Sequence, residues 1–583
     1  MKKSHLTKLL CLLLAVVMLT AVLAGCAQKV EAPAEPKQEA TETKPAEAEK
    51  VEEKAEEKVE EAPVEETGVT FPLAEPYTIK MMFKGNTDYE QLEKNTFYKQ
   101  LCEETNVNIE WINLGDEPMT TLNAMLASGT QGDVIFGGVL NDSTLAELAY
   151  GGFLLPLEDY ITDPEIMPNY VNRGLSEVPT AVGNMTLPDG HIYSLARIDN
   201  NASSYLESPL YVNKAWMEQA GLDNVDTIEK FEQYLTYVRD NDMNGDGNPN
   251  DEVPLLLATS GANAYATVQA MLGWWGLPTK DSALDSYVVV TDGKVELAPT
   301  MDAYKEAIST ISRWYQEGLI WSELYTANKD SFNARLNNEV ACWGATMVQK
   351  PASNTSFYAD LDCVLYPAIE GFAPRAYYNC GFNGYKNIFT LTANCEKPEV
   401  VLAWLDKFFS VEGTRNFFYG LTSDWEEGDA YPRYEVSADG KFAEITCSAE
   451  EIDFNKANYP TFYNMWGSYT YLRSAEDYET GAVALNEAGQ KLKEVYDNLY
   501  KDIINQEVWP RPYYTAEDSE QISFLRTDVF AIITEYEAQW VTGQSDINAD
   551  WDSFQQQLKA AGSDDLVKLL QNAYDIYVET NAK

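Results

Sequence analysis

Histidine is almost missing from this chain: His5 and His191 are the only two among 583 residues. That scarcity removes most histidine-based acid–base catalysis and most histidine-ligated metal chemistry. Basic residues are also few. Forty-two Lys plus Arg stand against 92 Asp plus Glu, a formal net charge of -50, which repels phosphate backbones and argues against nucleic acid as a partner. No C-x-x-C pair occurs, so neither a zinc site nor a thioredoxin-like site is indicated. The G-x-S-x-G, H-E-x-x-H and G-x-x-x-x-G-K-[ST] signatures are absent too. After Cys26 no stretch approaches the ~18 apolar residues of a membrane span, so the rest of the chain is expected to lie outside the membrane. What is present is a large apolar inventory. Hydrophobic residues make up 45%, with 36 Tyr, 21 Phe and 13 Trp, which excludes disorder for the chain as a whole. The length exceeds what one core serves, so a multi-lobed body is expected.

Residues Met1 to Cys26 read as a secretory signal. Lys2, Lys3 and Lys8 make a basic start, and Leu9 to Leu23 is an apolar run broken only by Thr20. As a helix that run rises about 22 Å, short of a ~30 Å hydrocarbon core. It ends in Leu23-Ala24-Gly25-Cys26, which resembles a bacterial lipobox. The resemblance implies acylation of Cys26 by palmitate-type chains and a mature chain anchored in the cell membrane, facing the extracellular side. Two acyl chains suffice for a stable anchor. An ordinary signal peptide or an uncleaved anchor is the alternative.

Residues 27–70 are rich in Glu, Lys and Pro and contain no aromatic residue. Such a segment cannot bury enough apolar surface to offset its ordering entropy, so a disordered tether is expected. The folded body then runs from 71 to 583. Beyond Cys11 in the leader and Cys26, six cysteines remain: Cys102, Cys342, Cys363, Cys380, Cys395 and Cys447. Export permits disulfides, while a body this large needs none, and both readings stay open.

Tyr77–Phe83, Val107–Leu114 and Asp133–Phe136 read as strands; helical patterns run over Asp88–Thr105 and Pro118–Ser128. Strand, helix, strand, helix, strand predicts an α/β sheet with crossover helices. Further helices are expected at Thr227–Asp240, Met301–Glu317, Pro398–Phe409, Ala482–Asp502 and Ser519–Trp540.

Several stretches together resemble the extracellular solute-binding proteins of carbohydrate ABC importers, family 1, which include oligosaccharide- and alginate-binding lipoproteins. They are Leu122-Asn-Ala-Met-Leu-Ala-Ser-Gly129 with Gly132-Asp-Val-Ile135, Gly152-Phe-Leu-Leu-Pro-Leu-Glu-Asp-Tyr-Ile161, and Pro188-Asp-Gly-His-Ile-Tyr-Ser-Leu195. Leu210-Tyr-Val-Asn-Lys-Ala-Trp-Met217 with Ala220-Gly-Leu, Phe332-Asn-Ala-Arg-Leu-Asn-Asn-Glu-Val340, Trp540-Val-Thr-Gly543 and Asp550-Trp-Asp552 complete the series. Their order over the whole body, behind a lipobox, is specific. The resemblance implies an α/β, two-lobed periplasmic-binding-protein-like type II fold with an interlobe cleft, no catalysis, and delivery of a carbohydrate to permease subunits. Lobe 1 is expected at about 76–205 and 380–455, lobe 2 at about 206–379 and 456–583. Crossings are expected near 200–208, 377–385 and 449–465, and the protein is expected to be a monomer.

Asp240-Asn-Asp242-Met-Asn244-Gly-Asp246-Gly-Asn248-Pro-Asn250-Asp251-Glu252 follows a predicted helix. Side-chain oxygens at 242, 244 and 246 can converge on a hard cation, and the glycines let the backbone turn. The stretch starts as an EF-hand does, but position 12 is Val253, and Asp251 and Glu252 arrive early. Early closure is similar to the calcium loop of lipoprotein-type relatives. Structural calcium held by Asp242, Asn244, Asp246, the Asn248 carbonyl, Asp251 and Glu252 is the expectation; a solvated Asx/Gly turn is the alternative.

Sugars pack their C–H faces on aromatic rings and bond their hydroxyls to carboxylates, amides and Arg. Candidate ligand residues are Trp274, Trp275, Trp343, Trp425 and Trp466, with Tyr377 and Tyr378 beside a predicted hinge. Arg375 joins them, as do Asn86 and Asp88 in the turn after the first strand, since ligands of α/β sheets bind beyond strand carboxyl ends. The ordinary alternative for each tryptophan is the core. His191, after a Pro-Asp-Gly turn, is expected to pack or hydrogen-bond only. A secreted carbohydrate-active enzyme using paired carboxylates, or a ligand-sensing surface protein, are the competing functions.

Overall fold

The computed structural model describes residues 68–84, 95–200, 206–248, 251–259, 262, 266–279, 286–349, 356–377, 386–419, 434–436, 443–445, 472–474, 476–477, 487–504 and 507–582. The expectations for the leader, Cys26, the tether up to residue 67, Asn86, Asp88, Tyr378, Trp425, Trp466 and the crossing at 449–465 lie outside those residues, as do 201–205 and 378–385 of the other two crossings. The folded unit is Glu66–Lys583.

Chain order begins β1 (Tyr77–Phe83), α1 (Thr96–Thr105), β2 (Val107–Asn113), α2 (Pro118–Ser128), β3 (Val134–Phe136) and α3 (Asp142–Tyr150). The helix ends carry their own signals. Asn95 accepts from the Tyr98 N–H at 2.8 Å to start α1, and Asn141 accepts from the Thr144 N–H at 2.9 Å to start α3. Pro118 opens α2, and Gly129, at φ 67°, closes it in the left-handed conformation that an L-residue resists. Helix α4 (Thr180–Met185) and the short strand β4 (Ile198–Asp199) follow.

Strands β1, β2 and β3 are parallel, and β11 (Phe389–Leu391) adds antiparallel to β3, giving the order β11-β3-β1-β2. The two-residue period of β1 sorts its side chains. Ile79, Met81 and Phe83 enter one core with Trp404 and Phe408, while Met82 enters another with Leu122 and Leu145 on the opposite face. This is lobe 1.

Lobe 2 is built on a second sheet of β5 (Leu210–Asn213), β6 (Val253–Leu256), β9 (Trp343–Met347) and β10 (Leu361–Val364), in the order β10-β5-β9-β6. Only β6 and β9 are parallel. Hairpin β7–β8 (Val288–Thr291, Lys294–Leu297) and helices α5 (Ile228–Asp240) and α6 (Asp302–Gln316) pack around it. After β11 the chain returns through α7 (Pro398–Asp406), hairpin β12–β13 (Tyr434–Val436, Ala443–Ile445) and β14 (Leu472–Arg473). It ends in α8 (Ala516–Val541), α9 (Ile547–Ala560) and α10 (Ser563–Asn581).

The lobe boundary expected at 455/456 is corrected by β14. This strand pairs parallel with β4, and Leu472 is fully buried in the lobe-1 core. Arg473 donates to the buried carboxylate of Asp199, and Arg173 donates to Asp477 Oδ1 at 2.7 Å. Lobe 1 therefore extends at least to Asp477. Past β4 and past β14 the next buried apolar residues described, Leu206 and Leu492, belong to the lobe-2 core. Ala376 joins the lobe-2 segment at Ile503, its N–H donating to the Ile503 carbonyl at 2.8 Å.

Cys102, Cys342, Cys363 and Cys395 are free thiols, and burial pushes the Cys395 thiol up to about 12. Cys380 and Cys447 lie outside the described residues. His191 takes the plain role expected: its Nδ1 sits 2.5 Å from Glu158 Oε1, in a half-exposed pair at a turn.

Candidate functional site

The carboxyl ends of β1, β2 and β3 lie on one edge of the lobe-1 sheet, where the Leu114 N–H donates to the Phe83 carbonyl at 2.8 Å. Such edges hold ligands in open α/β sheets, because helix starts and turning backbone leave N–H and C=O groups unpaired there. Three glycines turn the chain at this edge with positive φ: Gly115 at 74°, Gly137 at 82° and Gly138 at 69°. The antiparallel β11 brings its own beginning to the same edge, with the Gly137 N–H donating to the Ile388 carbonyl at 3.0 Å. Lys386 and Asn387, just before β11, meet Asp142 at the start of α3. Lys386 Nζ pairs with Asp142 Oδ2 at 3.0 Å, although its side chain is only 6% exposed. Asn387 Nδ2 donates to Asp142 Oδ1 at 2.7 Å. Sequence reasoning missed this trio. The Gly-Gly pair after a buried strand was its one legible signal, since nothing in the sequence announces an antiparallel fourth strand beside β3.

The residues expected to hold sugar divide. Trp274, Trp275 and Trp343 are corrected to core residues, at 0%, 3% and 0% exposure. Phe231 and Trp314 meet the Trp274 ring at 5.4 and 6.3 Å, and Tyr366 meets it at 5.8 Å. Trp275 lies nearly parallel to Trp274, 6.3 Å away. Trp343 donates its Nε1–H to the Leu336 carbonyl at 3.1 Å and takes an edge contact from Phe357. The physical reason is volume: a mixed four-stranded sheet under several helices needs large apolar filler, and these rings supply it. Arg375 and Tyr377 are half-buried. The Arg375 N–H donates to the Gly273 carbonyl at 2.8 Å, so Arg375 runs along the Trp274–Trp275 turn. A side chain at Gly273 would strike the Arg375 carbonyl at 2.4 Å, which explains the glycine.

The acidic loop follows α5, whose start is capped by Thr227. Asp242 accepts from the Gly245 N–H at 2.7 Å and the Gly247 N–H at 2.9 Å. Asn244 accepts from the Asp246 N–H at 2.9 Å, and Asp246 from the Asn248 N–H at 2.8 Å. Gly245 and Gly247 hold φ of 74° and 92°, the left-handed turns their spacing predicts. Glu252 reaches back over the loop, accepting from the Met243 and Asn244 N–H groups at 2.8 and 3.1 Å. Arg335 donates to the Asp251 carbonyl at 2.9 Å. Among the described residues no group of three His, Cys, Asp or Glu side chains is gathered as a metal cluster. Two observations nonetheless fit a hard cation. Asp251 Oδ1 and Glu252 Oε2 are buried without any hydrogen-bond partner. A buried orphan carboxylate oxygen is costly unless something positive meets it. The donor set is also all oxygen, as calcium and magnesium require.

No family model matches the chain. The chain is 25% identical over 524 residues to the fructooligosaccharide ABC transporter substrate-binding protein FusA of Streptococcus pneumoniae, covering 88% of this chain and 92% of that protein. Over 44% of this chain and 51% of the other, it is 21% identical to lipoprotein LipO of Bacillus subtilis. Among solved structures, an HMO-binding, ABC-transporter-associated solute-binding protein of Bifidobacterium longum infantis superposes with a TM-score of 0.70 at 19% identity, covering 86% of this chain and 99% of that one. A FusA EF-hand mutant in complex with fructo-nystose superposes at 0.66 with 20% identity, over 86% and 99%. Alginate-binding protein AlgQ2 without calcium ion superposes at 0.60 with 18% identity, over 87% and 100%. The fold is therefore that of a two-lobed solute-binding protein. The chain is a homologue of ABC-transporter substrate-binding proteins, with FusA as a relative over nearly its whole folded length.

Proposed function

We propose that this chain is the substrate-binding component of an ABC importer: it holds an oligosaccharide between its lobes and passes it, chemically unchanged, to membrane permease subunits. The observation that carries this reading is similarity to FusA over 88% of this chain and 92% of that protein. Closure of two lobes around a ligand is a hinge motion that leaves each lobe's core intact. The net charge of -50 suits a neutral or cationic solute better than a polyanion. Ligand contacts are assigned to the lobe-1 edge and to the expected residues Asn86, Asp88, Arg375, Tyr377, Trp425 and Trp466.

In this reading Cys26 carries the lipid anchor, and residues 27–70 hold the body off the outer face of the membrane. Among the described residues no helix is long and apolar enough to cross a membrane. Similarity to a lipoprotein and the lipobox support the anchor. Asp242, Asn244, Asp246, Asn248, Asp251 and Glu252 would hold calcium, which supplies positive charge to the orphan oxygens of Asp251 and Glu252 and fixes the end of α5 to the start of β6. An EF-hand mutant of FusA and a calcium-free AlgQ2 among similar structures support that role.

The test is isothermal titration of the purified body, with calcium present, against fructan, alginate, milk and N-glycan oligosaccharides. Saturable binding at one site with unaltered sugar afterwards supports the reading. Release of a shortened sugar would support the competing enzyme.

A further inference from the structure

The strap Trp509-Pro-Arg-Pro-Tyr-Tyr514, just ahead of α8, has a foot in each lobe. Trp509 belongs to the lobe-2 core, stacked on Tyr574 of α10 with centroids 6.3 Å apart. Tyr513 is buried in the lobe-1 core that contains Met82, Leu122 and Leu145. There Lys386 Nζ donates to the Arg511 carbonyl at 2.7 Å, and the Tyr513 hydroxyl donates to Asn387 Oδ1. The helices that follow keep this double footing. Ile522, Val529, Ile533 and Trp540 seat α8 in the lobe-2 core, and Leu566, Leu570 and Tyr574 seat α10 there. Yet α8 also meets α3 of lobe 1, and α10 meets α4 of lobe 1, where a side chain at Gly183 would strike Asn581. The groove between α8 and α10 is therefore walled by helices that touch both lobes.

That groove carries the most exposed large apolar side chain among the described residues: Phe524, at 70% exposure. Two residues past Ile522, Phe524 stands off the buried stripe of α8, so no core position explains it. Leu525 and Leu569 line the groove with it, together with Glu520, Asp565 and Lys568, around a hollow of about 560 Å³. The face of α8 that carries Phe524 is acidic. Glu517 and Glu520 precede it by two turns and one turn, Asp528 follows by one turn, and all three are exposed. Asp564 is paired with Lys559 at 3.1 Å, which leaves Lys568 facing Glu517, Glu520, Asp528 and Asp565. An exposed ring among charges of one sign is suited to docking: the ring supplies an anchor to bury, and the charges select the partner. The matching surface carries Lys or Arg around an apolar seat. A second copy, at a net charge of -50, is repelled, as are an anionic lipid surface and the Glu-rich residues 27–70. A partner gripping this groove also meets a shape set by both lobes, which matters to a partner that must tell one lobe arrangement from another.

We infer that the α8–α10 groove is the docking point for an extracellular loop of the permease, with Phe524 as the anchor and the acids around it drawing Lys or Arg side chains of that loop. This rests on the importer reading above. The test uses the full chain in the cells it comes from and the sugar that titrates most tightly. Phe524→Glu should melt as the wild type does and bind that sugar within about twofold, because Phe524 is exposed and is not among the residues assigned to sugar. Uptake of the sugar by the cells should fall about tenfold or more, and Phe524→Leu should recover part of the loss. Glu520→Lys combined with Asp565→Lys should lower uptake while sparing sugar affinity. A p-benzoylphenylalanine in place of Phe524 should crosslink to a permease subunit in intact cells. Unchanged uptake with Phe524→Glu, or no permease crosslink from that position, overturns the inference and leaves the importer reading standing. A dimer in sedimentation that Phe524→Glu dissolves would give the groove to a second copy and overturn it as well. Wild-type uptake that does not depend on this chain overturns both.

Discussion

The loop Asp242–Glu252 and the strap Trp509–Tyr514 solve the same problem, holding polar groups in a demanding geometry, with opposite kinds of information. Every oxygen of the loop comes from one short stretch, and its glycines stand where the turns fall. The strap's partners lie 125 and 126 residues away in the chain, and the two groups that lock them, Asp142 and Asn387, are 245 apart. A contiguous site is written in spacing. An assembled one exists only after both lobes have folded, so its stability belongs to the cores rather than to a ligand.

Three changes would sharpen or break that contrast. The largest effect is expected for Tyr513→Ala, which empties a buried aromatic position in the lobe-1 core and should cost about 3–5 kcal/mol in urea unfolding. That cost should be the same with calcium or chelator; a calcium-dependent cost would tie the strap to the loop and end the distinction. Next is Glu252→Gln. Saturating calcium should stabilise the wild type by about 2.7 kcal/mol at a hundredfold excess over Kd, and this variant should lose most of that while matching the wild type in chelator. Equal calcium responses in thermal melts would return the loop to a solvated turn.

The smallest effect concerns a site outside both regions. The hydrogen bond that His191 donates to the Glu158 carboxylate raises its imidazole above its ordinary 6.5. In Glu158, burial pushes the carboxyl up, but hydrogen bonds from His191 and the Ile192 N–H hold it below its ordinary 4.5. The raised histidine stabilises the fold fully below pH 6.5 and loses that contribution as pH rises through the folded value. The lowered carboxylate contributes above 4.5 and loses its contribution as pH falls through its folded value. Because His191 is half exposed, screening leaves only a few tenths of a kcal/mol. Glu158→Gln should flatten stability between about pH 6 and 8 by that amount. A change above 1 kcal/mol would contradict the exposed geometry.

Much of the fold was legible because its signals are local. Tyr77–Phe83 and Pro118–Ser128 fall where the patterns placed them, and Ala516–Val541 extends its expected helix by a few residues at the start and one at the end. The tryptophans were not legible as a class. Trp343 sits in a strand buried on both faces, where no alternation separates core from cleft. Trp274 lies in a tight turn whose neighbours, Phe231 and Trp314, come from separate helices. The lobe boundary failed for a related reason. A two-residue strand such as Leu472–Arg473 carries no period, and only its partner Ile198–Asp199 reveals which lobe owns it.

The central claim is reversible grip without chemistry across a closing cleft. Small-angle scattering of the body, with and without the sugar that titrates most tightly, tests it directly when the sugar is recovered and analysed afterwards. The account expects the radius of gyration to shrink on binding and the sugar to return intact. An unchanged radius at saturation, or a sugar returned cleaved, would contradict it.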